Sequence, residues 1–229
     1  MCLSTQFDLV VGAAISVVAV DSLRHCKSGR ALPLALIPAI LAAHTLVSAV
    51  IWLGHDGAVS QPLADSAAGV YLFIAYALLP IYVPVAVLLI EPPGWRRQAL
   101  MVACVVGSIP AIGYLSALMA GRGSASPDDY YIDFTVRGTA GVLGVLYIVA
   151  TCGALLLSGY APLVAWGLVN LVGMSSLVAW NSLGLPALWC LWAAVTSGFV
   201  AWFMRRSHAA EESEPLFIAD AGVYPYESR

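Results

Sequence analysis

The sequence predicts an all-α, polytopic membrane protein of seven transmembrane helices, and three observations predict it. The 229-residue chain is 61% hydrophobic and only 10% charged, whereas a soluble domain carries about 25% charged residues. A soluble fold this apolar has too little polar surface to cover itself. Seven apolar runs follow one another with turn-rich breaks between them, and a bilayer crossing needs about 20 such residues. The basic residues favour one side of those runs. Arg24, Lys27 and Arg30, then Arg96 and Arg97, then Arg205 and Arg206 share it, against Arg122 and Arg137 on the other. Basic loops stay cytoplasmic. The N-terminus is therefore expected outside and the C-terminus inside, with the chain a multi-pass protein of the cell membrane.

The first run covers residues 9–20, extended at both ends. It reads as a retained span, because MCLSTQFDLV has no basic start and no clean cleavage site. Gly12 and Ser16 give it a small face for helix packing. After CKSGR the second run covers 31–53, and after HDGAVSQP the third covers 67–90. Pro80 and Pro84 remove backbone donors there and predict kinks. EPPGWRR stops that helix. The fourth run, 99–120, carries Pro110 and ends at GRGSASPDD. The fifth, 134–157, has a ridge of Gly138, Gly141 and Gly144. SGYAP leads to the sixth, 162–180, and NSLG to the seventh, 185–204. Those last two breaks are so short that the helices they join must be antiparallel neighbours. The division expected is a transmembrane domain over 1–206 and an acidic, disordered cytoplasmic tail over 207–229. No internal repeat is visible, which weighs against a transporter.

Several chemistries are excluded. Lys27 is the sole lysine and lies in a loop, so no retinal Schiff base forms. The five cysteines are scattered and there is no HxxxH pair, so no metal site and no cofactor are expected. A nucleophile elbow, a phosphate loop and a basic patch for nucleic acid are also absent.

The polar residues inside the runs carry the functional signal, since ionisable groups there face a cavity or a partner. His44, Ser48, Trp52 and His55 fall on one stripe of the second run, from its middle to its outer end. One reading is a hydrogen-bonded structural histidine with an interfacial tryptophan; the other is a polar track into a pocket. Asp133 and Arg137, spaced i, i+4 at the start of the fifth run, are expected to pair on a helix face. Asp8 opens the first run on the same side. Trp180, Asn181, Trp189 and Trp192 gather near the last outer turn, and Tyr71, Tyr114, Tyr130 and Tyr131 add to an aromatic outer half. Asn170 is expected to bond another helix. On the inner side Asp21 and Glu91 sit beside basic loops and are expected to form ion pairs there.

The start MCLS, the run AHTLVSAVIW and the run LPIYVPVAVLLIEP together resemble an uncharacterised bacterial family of small seven-span proteins beginning Met-Cys-x-Ser. The resemblance covers roughly the first ninety-five residues, and that family typically has a glutamate where Ser48 stands. Size, span number and aromatic richness are also similar to the small integral-membrane terpene cyclases of fungal meroterpenoid and actinobacterial pathways. In the fungal group an acid on the second span protonates an epoxide or alkene. The nearest counterpart here is HTLVSAVIW, which lacks the acid.

The expected function is accordingly a cofactor-free membrane terpene cyclase acting on an apolar isoprenoid substrate by protonation. Such chemistry needs a proton donor and π-faces that stabilise cations. Asp133 is the first candidate acid and Asp8 the second, with His44 and Ser48 orienting substrate or water. Trp52, Tyr114, Arg137, Trp180, Asn181 and Trp189 would line the site. The alternative is a small seven-helix sensor or transporter in which His44 and the outer acids bind a solute or carry protons. Partners other than substrate and lipid bilayer are not specified by the sequence.

Overall fold

A computed structural model describes residues 4–127, 131–139, 141–180 and 185–210. It is predominantly helical. Helices α1 (Thr5–Arg24), α2 (Leu32–Ala35), α3 (Ile37–His55) and α4 (Gln61–Leu72) come first. A π-helical stretch, Phe73–Leu78, joins α4 to α5 (Leu79–Ile90), and α6 (Trp95–Met119) follows. Strands β1 (Gly123–Pro127) and β2 (Ile132–Val136) precede α7 (Gly141–Leu157), α8 (Ala161–Trp180), α9 (Leu185–Thr196) and α10 (Gly198–Ala210).

Among the described residues, five helical segments are long and apolar enough to cross a membrane: Thr5–Arg24, Leu32–His55, Gln61–Ile90, Trp95–Met119 and Leu188–Ser207. Gly141–Leu157 and Ala161–Leu177 are apolar but shorter. Each of these seven overlaps one of the seven hydropathic runs. Their outward faces are apolar as well: Val10, Val17, Val105 and Ile112 are all at least 66% exposed. An exposed apolar belt of this extent is compatible with a lipid surround and costly in water.

Proline and glycine set the local geometry. Pro80 has no N–H and its ring crowds the carbonyl four residues earlier. The helix meets this by widening into the π-helical stretch that ends just before it. Gly107 of α6 lies against the carbonyl oxygen of Pro80, where a Cβ would collide with backbone. Gly12 of α1 admits Leu46 in the same manner, its absent Cβ position lying 2.6 Å from that side chain. α1 packs along α3 more extensively than any other two elements pack together.

One expectation is corrected. Residues 134–139 do not begin a helix, because Ile132–Val136 is a strand paired antiparallel with Gly123–Pro127. The sequence IDFTV alternates apolar and polar, and its burial alternates with it. Gly121 and Gly138 flank the hairpin at φ +70° and +72°, a conformation that side chains resist. Gly138 is thus a turn residue and no part of a helical ridge. The proposed tail, 207–229, falls largely outside the described residues, with α10 continuing to Ala210.

Candidate functional site

Asp8 is positioned by the start of α1. The Ser4 hydroxyl caps the helix by accepting from the Phe7 N–H at 3.3 Å. That cap places Asp8 in the first turn, where a carboxylate complements the positive end of the helix dipole. The close α1–α3 contact then carries Asp8 fully inside, at 0% exposure, where its Oδ2 accepts a hydrogen bond from Ser48 Oγ.

His44 lies one turn before Ser48 on α3 and is 1% exposed. Its ring stacks on Tyr71 of α4, centroids 3.7 Å apart at 25°, and Tyr71 stacks on Phe134 of β2 at 3.7 Å and 8°. The three rings tie a central helix to the hairpin. Tyr76 reinforces the tie, its hydroxyl donating to the Phe134 carbonyl at 3.1 Å while its ring lies 4.9 Å from Tyr114. Trp52, a turn beyond Ser48, is buried, and His55 beyond it is exposed. Neither ring nitrogen of His44 nor the Nε1 of Trp52 has a hydrogen-bond partner among the described residues.

Asp133 and Arg137 do not pair as expected. Both belong to the hairpin, where helical i, i+4 proximity does not exist. Asp133 stands on the face of β2 opposite Phe134, half-buried, and its Oδ1 accepts from Thr135 Oγ1 at 3.1 Å. Arg137 is exposed in the turn that follows, its backbone N–H donating to Arg122 O at 2.9 Å. Asn181 lies outside the described residues, as does the side chain of Trp180 at the end of α8.

Trp189 belongs to a second region. It meets the Tyr147 ring edge-on at 4.9 Å. With Thr151, Trp166, Asn170 and Cys190 it lines a cavity of about 50 Å³. Leu41 and Ile37, one and two turns before His44, form its near wall. Asn170 donates to its own helix at Trp166 O, 2.9 Å, and to Thr196 of α9 at 3.4 Å, so the expected inter-helix bond is made. Tyr147 and Trp166 escaped the sequence reading because nothing in a hydropathic run separates a lipid-facing ring from a cavity-facing one.

At the opposite end of the bundle the two acids differ. Asp21 forms a bidentate pair with Arg205 of α10, both contacts 2.7 Å, and its Oδ1 also lies 3.5 Å from His25 Nδ1 just past the end of α1. Glu91, 2% exposed, accepts from the Gly159 N–H at 3.1 Å and from Ser158 Oγ at 3.4 Å. Burial pushes its carboxyl above the usual value; the Gly159 N–H, Arg96 and Ser158 pull the other way. Among the described residues no three His, Cys, Asp or Glu side chains come together as a metal site.

No curated protein and no solved structure matches the chain. One family model does, described as a family of unknown function (DUF6629), and it spans residues 1–214. With nearly the whole bundle inside that match, the chain belongs to the DUF6629 family.

Proposed function

We propose that this protein is a cofactor-free integral-membrane cyclase that protonates an apolar isoprenoid substrate, with Asp8 as the proton donor. The observation that carries the reading is the fully buried Asp8–Ser48 pair, one helical turn from the stacked rings of His44, Tyr71 and Phe134. In its protonated form a carboxylic acid here delivers a proton away from water, and aromatic faces nearby attract the cation that results. Ser48 orients the acid, and His44 or a water takes the proton lost at the end of the cyclisation. Asp133, half-buried on the outer face of the hairpin, supports this role less well than Asp8. In this reading all seven apolar segments cross the membrane with the N-terminus outside. The basic clusters at one end support that orientation, and the 17 residues of α7 reach about 26 Å against a hydrocarbon core of about 30 Å.

A second reading is favoured by one observation. The cavity of about 50 Å³ has room for only a few waters, far below the roughly 300 Å³ at which ligand pockets begin. A sensor or transporter that responds to protons at Asp8 and His44 needs no larger space, whereas a cyclase needs α5, α7 and α9 to part around its substrate.

Expression in a host supplied with linear, prenylated and epoxidised terpenoids, followed by mass spectrometry, tests the first reading. An isomer of unchanged mass and shifted retention time is expected. Asp8→Asn is expected to abolish it and Asp133→Asn to leave it, with both proteins still in the membrane. No isomer across the panel, together with pH-driven flux or conformational change in liposomes, transfers the conclusion to the second reading.

A further inference from the structure

Among the described residues, the buried ring nitrogens of His44 and Trp52 have no hydrogen-bond partner. Buried N–H groups are almost always satisfied, and where protein supplies no acceptor an internal water does. Their spacing fits that role. His44, Ser48 and Trp52 follow one another at four-residue intervals, so each step climbs about 6 Å along the helix axis. A single water bridging two groups spans about 5.6 Å, two hydrogen bonds of roughly 2.8 Å each. Asp8 joins the series at the level of Ser48.

The series is open at one end and closed at the other. Toward the hairpin end it continues from Trp52 to His55 and Asp56, both exposed, where Thr5 Oγ1 donates to Asp56 Oδ2 at 3.4 Å. Inward of His44 the same helix presents Leu41 and Ile37, 2% and 1% exposed, which carry no proton. The titratable groups on elements packed against this stretch are Asp8 of α1, Tyr71 of α4, Tyr76 of the π-helical stretch, Asp133 of β2 and Cys190 of α9. Of these, Asp8 is hydrogen-bonded directly into the series.

We propose that α3 carries a one-sided, water-filled proton-loading path, entered at His55–Asp56, anchored at Trp52, serving Asp8 and ending at His44. The inference rests on the reading of Asp8 as an acid that gains and loses a proton. A proton enters from the solution at the hairpin end and moves as O–H bonds exchange along the waters. It comes to rest on the Asp8 carboxylate or the His44 imidazole. No heavy-atom bond changes and the site gains one positive charge. Because the path stops at Leu41, it loads a site and does not conduct across the bundle.

Hydrogen–deuterium exchange followed by infrared spectroscopy on the full-length protein in lipid tests the order of the path without any substrate. Bands lost in Asp8→Asn assign the carboxylic acid, and bands lost in His44→Leu assign the imidazole. Trp52→Phe, which removes only the anchoring N–H side of the ring, is expected to slow exchange at both groups by about tenfold or more. Asp8→Asn is expected to slow exchange at His44, and His44→Leu to leave exchange at Asp8 unchanged. Unaltered rates in Trp52→Phe, or an Asp8 band slowed by His44→Leu, overturn the proposal. Should Trp52→Phe fail to fold, the ordering of the other two variants decides alone. Absence of a cyclised product with this ordering intact would remove the cyclase reading and leave the path standing.

Discussion

Ser48 and Glu91 set two different tasks for single residues. Ser48→Ala takes the hydroxyl away from a carboxyl at 0% exposure. Leaving a buried acceptor without its donor costs roughly 1–3 kcal/mol, and a matching loss is expected in denaturation of the detergent-solubilised protein. Glu91 works through linkage. Its folded-state carboxyl titrates above the ordinary value of 4.5, so the folded chain binds more protons than the unfolded one in the window just above that value. Stability from this group is present below the ordinary value and is lost as pH rises through the folded one. Glu91→Gln keeps an acceptor for Gly159 and removes the charge. Melting temperatures measured across that window should fall with pH in the wild type and flatten in the variant. Both residues were visible in the sequence, Ser48 on the polar stripe inside the second run and Glu91 at the inner end of the third. Their partners were not, because Ser48 meets Asp8 from 40 positions away and Glu91 meets Gly159 from 68.

At the scale of elements, the hairpin and the α5–α6 contact carry the clearest expectations. Phe134, 2% exposed, ends the ring stack, and truncating a buried Phe to Ala costs roughly 3–5 kcal/mol. Since the contact docks β2 on α4, Phe134→Ala should also raise proteolytic cleavage of the hairpin before the bundle unfolds. Gly107 and Gly12 make a paired test. An alanine at 107 meets the Pro80 backbone, whereas one at 12 meets the movable end of Leu46. Overpacking of this kind costs roughly 1–3 kcal/mol. Gly107→Ala should therefore lower the melting temperature more than Gly12→Ala, and the opposite order would show that α5 yields more readily than Leu46 does. The hairpin had a signal of its own in IDFTV. A hydropathy window absorbs five alternating residues into the apolar run beside them, which is why they read as helix.

For the whole molecule, the Asp21–Arg205 pair ties α1 to α10, the first and last of the described helices. Arg205 is well exposed, with 62% of its side chain open, so salt should screen the pair. Arg205→Gln is expected to destabilise the bundle slightly at low ionic strength and not measurably at high. The order of the apolar segments and their mainly helical character were set by the sequence alone, since hydropathy and turn residues act locally and along one chain. So was the stripe of His44, Ser48 and Trp52, which needs only the helical repeat. What the tertiary structure decided was which acid joins that stripe. Asp133 is near it in neither strand face nor hydrogen bonding, while Asp8 reaches it because Gly12 lets two helices approach closely. Proximity between distant parts of a chain depends on packing, and packing is a property of the folded whole.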